Sequence, residues 1–267
     1  MTERYLESRG IAYRTNEFKD SRQTLVFIHG LSGSLSAWYP HEKLFEEKYN
    51  VVTLDLRGHG LSKRYKKYSD YALNNFSEDV YAVLTELKVN SCILVSHSLG
   101  ALVALELLHH HPHVVSKAIF ISPAAQNDKL FWYHASHPVR ELGVIAGFVC
   151  SIFKKPHGRT NYDLYKDTAD WSFKRTLTDV SNMGRLTYLY VLNNLYAFKH
   201  NEWWQEINIP VLFLHGSRDT MVPLSYARAL AKEVPDAQFV VFENKNHLLP
   251  LNSVSEVSKA IEDFISR

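Results

Sequence analysis

Strand-like and helix-like patterns alternate along most of the chain. Thr24-Leu-Val-Phe-Ile28 is an uninterrupted apolar run ending at His29-Gly30, the pattern of a strand covered on both faces. Asn50-Val-Val-Thr-Leu-Asp55, Ser91–Ser96, Lys117-Ala-Ile-Phe-Ile-Ser122, Val211-Leu-Phe-Leu-His215 and Gln238-Phe-Val-Val-Phe242 also read as strands. Tyr5-Leu6 and Ile11-Ala-Tyr13 flank Ser8-Arg-Gly10 and predict an opening hairpin. Between these runs, helical patterns cover Ala37–Lys48, Asp70–Lys88, Leu99–His109, Leu224–Lys232 and Val254–Ile265. Tyr71, Phe76, Val80, Val83, Leu84 and Leu87 lie on one side of the second, and Pro112 stops the third. Strands alternating with helices predict a mostly parallel sheet with helices on its faces.

The alternation breaks between about Ala125 and Glu206, where aromatics are dense and no clear strand appears. This predicts a helical cap inserted between two sheet strands. The division is then core over 1–124, cap over 125–206 and core again over 207–267. Leu142–Phe153 is apolar nearly all round, so a helix there must be covered on both faces. It is too short to span a bilayer, which takes about 20 residues. Trp203-Trp204 closes the insertion and reads as its anchor to the core.

Composition narrows the classes. With 267 residues, 46% hydrophobic and 22% charged, the chain can build a core without disulfide or metal staples. A net charge of +2 makes no electrostatic case for nucleic acid. Two cysteines, Cys92 and Cys150, are too few for a disulfide framework, and Cys92 reads as a buried thiol. The opening residues hold no apolar signal core, so a cytoplasmic location is expected. His109-His-His-Pro-His113 sits at a predicted helix end, where histidine suits the dipole. It brings no carboxylate or cysteine of its own, so no metal is expected. Lys63-Arg-Tyr-Lys-Lys67 reads as a solvated basic loop.

The candidate chemistry lies where predicted strands end. In Ser96-His-Ser-Leu-Gly100, Ser98 falls on a sharp strand-to-helix turn that would expose its hydroxyl and aim helix N–H groups at an oxyanion. Taken alone, the same serine could be an ordinary helix N-cap. His29-Gly-Leu-Ser-Gly33 could aim the Leu31 N–H at the oxyanion bound by the Leu99 N–H. Asp219 closes His215-Gly-Ser-Arg-Asp219 after another strand, and His247 follows the last strand. The order Ser98, Asp219, His247 is that of a serine–acid–histidine hydrolase.

With these segments the sequence resembles the α/β-hydrolase superfamily, as does Asp55-Leu-Arg-Gly-His-Gly-Leu-Ser62. The resemblance implies a mostly parallel sheet of about eight strands, helices on both faces and a helical cap. It also implies Ser98 as nucleophile, Asp219 as acid, His247 as base, and an oxyanion hole of the Leu31 and Leu99 N–H groups. Two positions depart from the family pattern: Ser96 replaces the turn's first glycine, and Asn246 stands where many members carry glycine. Family members that open epoxides or displace halide carry aspartate at the position of Ser98, so the resemblance speaks against those reactions here.

The expected activity is that of a cofactor-free carboxylesterase acting on small to medium uncharged acyl groups, with loss of activity at acid pH because the base must be neutral. A C–C bond hydrolase of vinylogous diketones and a ligand receptor without turnover are the alternatives. The expected partner is a small apolar ester, with no nucleic acid or inserted membrane segment, the chain acting as monomer or homodimer. Phe131, Trp132, Tyr133, Val144, Ile145, Phe148, Val149, Ile152, Phe153, Trp171, Phe173 and Tyr188 supply an apolar cap, so acyl specificity is expected to peak at short to medium length.

Overall fold

The computed structural model describes residues 1–124 and 157–267. Eight strands form one sheet: β1 (Thr2–Leu6), β2 (Ile11–Thr15), β3 (Thr24–Ile28), β4 (Asn50–Leu54), β5 (Cys92–His97), β6 (Val115–Ile121), β7 (Val211–Gly216) and β8 (Gln238–Phe242). Their spatial order is β1-β2-β4-β3-β5-β6-β7-β8. β1 and β2 pair antiparallel, as does β2 with β4, and the remaining pairs are parallel. The apolar run read as a doubly covered strand, β3, is buried at every position, and so is β4.

Two apolar clusters flank the sheet, and alternation along each strand feeds both. Leu25, Phe27, Ile93, Val95, Ile119, Ile121, Leu212 and Leu214 pack on one face. Val26, Ile28, Leu94, Ala118, Phe120, Val211 and Phe213 pack on the other. The first face is covered by α1 (Tyr39–Phe45) and α8 (Val254–Ile265), and the second by α2 (Leu73–Glu86) and α3 (Leu99–His110). α3 is buried from Leu99 to Leu108 because the sheet and α2 both lie against it.

Two predicted helices are shorter than their patterns. Ala37–Lys48 resolves into a 3₁₀ turn, Leu35–Trp38, followed by α1. Asp70–Lys88 begins as a 3₁₀ turn, Tyr68–Tyr71, and Ala72 breaks the helix with ψ 139° before α2 starts. Between β6 and β7 the described residues contain α4 (Phe173–Met183) and α5 (Arg185–Ala197), joined at Gly184 with φ +90°. α6 (Leu224–Glu233) follows β7, and α7 is the single turn Leu249–Asn252. Leu142–Phe153 and the cap aromatics from Phe131 to Phe153 lie outside the described residues. Of the others, Trp171 and Phe173 are exposed and Tyr188 is half-buried. Among the described residues no helix is long and apolar enough to cross a membrane.

The loop after β4 is a structural hub. The Asp55 carboxylate accepts from the N–H groups of Leu35 (2.8 Å) and Leu61 (2.9 Å) and from Arg159 Nε (2.8 Å). Gly60 has φ +50°, and a Cβ there would lie 2.2 Å from Asp55 Cγ, so glycine is required. Arg57 grips Asp79 through two hydrogen bonds of 2.7 Å. The basic run beyond is not wholly solvated: its lysines are exposed, but Arg64 donates to the Asn182 carbonyl at the end of α4.

Trp204 anchors the segment as expected, fully buried with its ring 4.9 Å from Phe120. Trp203 is stacked between His109 (3.8 Å) and His200 (4.1 Å). The histidine run meets carboxylates supplied from outside it. His109 pairs with Glu206, His110 with Glu106 and His111 with Glu78, one partner each. No three potential metal ligands among the described residues converge.

Buried imidazoles make this fold acid-sensitive. His41 is fully buried between α1 and the C-terminal helices, donating from Nε2 to the Pro250 carbonyl (2.9 Å) and accepting at Nδ1 from Ser258 Oγ (2.8 Å). Burial pushes both His41 and His59 down to about 4. An unfolded histidine binds its proton near about 6.5. Between those values the unfolded chain holds more protons, so stability is full at higher pH and is lost as pH falls. The Tm should therefore drop between about pH 6.5 and pH 4. His41→Gln, which takes no proton, should show a shallower drop; equal slopes for both proteins would contradict this account.

Candidate active site

The site is built at the carboxyl ends of β3, β5, β7 and β8. At the end of β5 the chain turns directly into α3 at Ser98, whose backbone lies at φ +52°, ψ −118°. The turn is held by Ser98 N–H donating to Ile121 O (3.0 Å) and by Ser98 O accepting from Ala124 N–H (3.0 Å). The Ser98 side chain makes no N-cap hydrogen bond, and the backbone is not in the extended region that an N-cap uses. The ordinary capping role is thereby excluded. Ser96 is fully buried and donates to Ile119 O (3.3 Å), so its hydroxyl is accommodated along the sheet where the family pattern has glycine.

The loop after β3 lies against this turn. A Cβ on Gly30 would come within 3.0 Å of Ser98 Cβ, so the chain carrying Leu31 runs directly beside the serine. His29 accepts from Leu56 N–H at Nε2 (3.1 Å), which leaves Nδ1–H to donate to Gly30 O (2.8 Å). Burial and the neighbouring His59 keep His29 neutral, well below the usual histidine range.

Asp219 and His247 are joined. His247 Nδ1–H donates to Asp219 Oδ2 at 2.7 Å, which leaves Nε2 as the free base position in the neutral ring. Asp219 Oδ1 accepts from Met221 N–H (2.9 Å) and Val222 N–H (2.8 Å). Burial alone would raise the Asp219 carboxyl, but His247 and the Val222 N–H hold it below the usual carboxylate range. His215, also buried, donates to Val222 O (3.0 Å) behind the acid.

His97 links the two halves of the site. Because its partner is a carbonyl, Nε2 must carry the proton, and it donates to His247 O at 3.0 Å. Burial, assisted by His247, pushes His97 down to about 3, so it stays neutral. This bond ties the loop of His247 to the residue before Ser98.

Several residues here carry no local sequence signal. Asp170, only 3% exposed, accepts from His247 N–H at Oδ1 (2.8 Å) and from Thr220 N–H (2.9 Å) and Oγ1–H (2.7 Å) at Oδ2. Asn246, the second departure from the family pattern, donates to Thr168 O (2.9 Å) and accepts from Leu248 N–H (3.1 Å). A glycine could make neither side-chain bond.

Residues 23–253 match the family described as alpha/beta hydrolase fold. The chain is 26% identical over 260 residues to Protein ABHD8 of Mus musculus, covering 90% of this chain but only 54% of that longer protein. It is 24% identical over 255 residues to the uncharacterized hydrolase YugF of Bacillus subtilis, covering 91% and 90% of the two chains. A thermophilic esterase from Thermogutta terrifontis superposes with a TM-score of 0.76 at 17% identity, over 96% of this chain and 93% of that one. At that identity the likeness speaks for the fold alone.

Gly100 offers a direct test of the geometry. A Cβ at this position would stand 2.6 Å from Ile28 O and 2.8 Å from His29 O. Gly100→Ala must therefore push α3 away from β3, at a cost of about 1–3 kcal/mol. The expected result is a lowered Tm, and an unchanged Tm would contradict the close approach.

Proposed function

The chain belongs to the α/β-hydrolase family, and from that premise we propose that it is a serine hydrolase cleaving carboxylic esters of small to medium uncharged acyl groups. The observation that carries this reading is the hydrogen-bonded His247–Asp219 pair, tied through His97 to the turn that holds Ser98 at φ +52°. Ser98 Oγ attacks the acyl carbon while His247 Nε2 takes its proton. The N–H groups of Leu31 and Leu99 receive the charge that develops on the carbonyl oxygen. The alcohol leaves with the proton returned by His247. Water, deprotonated by the same nitrogen, then attacks the acyl-enzyme and releases the acid. Asp219 fixes the tautomer and stabilises the imidazolium.

The segment 125–206 is taken as a cap over this edge, and its apolar side chains as the acyl-binding wall. Each methylene buried there contributes about 0.8 kcal/mol. Ser98→Ala should lower kcat by at least roughly 10³-fold, and wild-type turnover in that variant would sink the assignment.

A panel of p-nitrophenyl esters from acetate to palmitate, with an amide and a vinylogous diketone included, tests the substrate class. Butyrate or hexanoate should give the highest kcat/KM. A maximum at palmitate, or preferred cleavage of the diketone or of a carboxylated acyl donor, would contradict it.

A further inference from the structure

A buried carboxylate from outside the loops of Ser98, Asp219 and His247 holds the main chain of two of them. Asp170 lies in the segment between β6 and β7, and its carboxylate joins two separate loops. Oδ1 holds the N–H of His247, and Oδ2 holds both the N–H and the hydroxyl of Thr220, the residue after Asp219. Its own carbonyl accepts from Arg175 Nη2 (2.6 Å), and Arg175 is paired with Asp179 (3.1 Å) in the α4 interior. Neighbouring residues reinforce the junction. Thr168 O accepts from Asn246 (2.9 Å) and Asn252 (3.0 Å), and Asp167 N–H donates to Asn252 Oδ1 (3.0 Å).

A buried carboxylate is costly unless its oxygens are satisfied. Three donors satisfy this one, and all three belong to the loops bearing the acid and the base. From the opposite side His97 holds the carbonyl of His247. The backbone of His247 is thus held at its N–H by Asp170 and at its C=O by the residue before Ser98. Thr220 meanwhile ties the Asp219 turn to the same carboxylate.

We propose that Asp170 is a positioning residue for the reaction, setting the placement of His247 and Asp219 relative to Ser98 from the segment between β6 and β7. This rests on the serine-hydrolase reading given above. Asp170 touches no reacting atom. Its effect falls on the alignment of the base, where a misplacement of about 1 Å can cost 10²-fold in rate. The same bonds make the order of residues 167–170 a condition for an aligned base.

The test compares Asp170→Ala and the near-isosteric Asp170→Asn with Asp79→Asn, which disturbs a buried charge pair remote from these loops. Asp170→Ala should lower kcat roughly 10- to 100-fold with KM changed less than about threefold. Asp170→Asn should lose less, since its amide oxygen can still accept from one loop. The downfield proton resonance of His247 Nδ1–H should shift or broaden in both Asp170 variants and persist in Asp79→Asn.

Wild-type kcat and an unchanged resonance in Asp170→Asn and Asp170→Ala would overturn the proposal. So would an equal loss of kcat in Asp79→Asn. If Asp170→Ala does not fold, Asp170→Asn carries the test. If the wild-type protein shows no Ser98-dependent turnover, the hydrolase reading fails. The resonance then decides the positioning role separately: a change in the Asp170 variants supports it and no change overturns it.

Discussion

The arrangement depends on one backbone conformation. Ser98 sits in the left-handed half of φ space without being glycine, a state that costs on the order of 1–3 kcal/mol. It persists because the surroundings hold it: β6 accepts its N–H, Ala124 donates to its carbonyl, and Gly100 lets α3 start hard against β3. The conformation lifts the serine out of the strand direction and starts the helix immediately behind it. Parallel pairing from β3 through β5, β6 and β7 to β8 then puts the loops after β3, β5, β7 and β8 at the same edge of the sheet.

Buried polar groups do the rest of the organising, and each is satisfied by chain segments distant in sequence. Asp55 ties the loop after β4 to Leu35 and to Arg159. Asp170 ties the loops of His247 and Asp219 to the segment before α4. Both carboxylates are nearly or fully inaccessible, and both would be destabilising without their donors. The described residues before α4 are therefore fastened to the core at two buried charges, one of them at the candidate site.

The parallel part of the sheet was legible because its strands are mostly apolar runs and the helices between them have clear periodicity, whereas β1, Thr2-Glu-Arg-Tyr-Leu6, showed only its last two residues. The positions of Ser98, Asp219 and His247 at strand ends were legible for the same reason. Helix boundaries were less so. Ala72 breaks a continuous apolar pattern by adopting an extended ψ that no residue type there announces. Asp170 and Asn246 were opaque for a different reason: their partners are set by tertiary approach, His247 being 77 positions from Asp170. The partners of the histidine run were opaque in the same way, since Glu78 and Glu206 arrive from other elements.

The central claim is that Ser98 is an activated nucleophile. Covalent labelling with a fluorophosphonate, followed by intact mass and peptide mapping, tests it most directly. The account predicts a single adduct on Ser98 that disappears in His247→Gln. An unlabelled protein, or an adduct on a different residue, would contradict it.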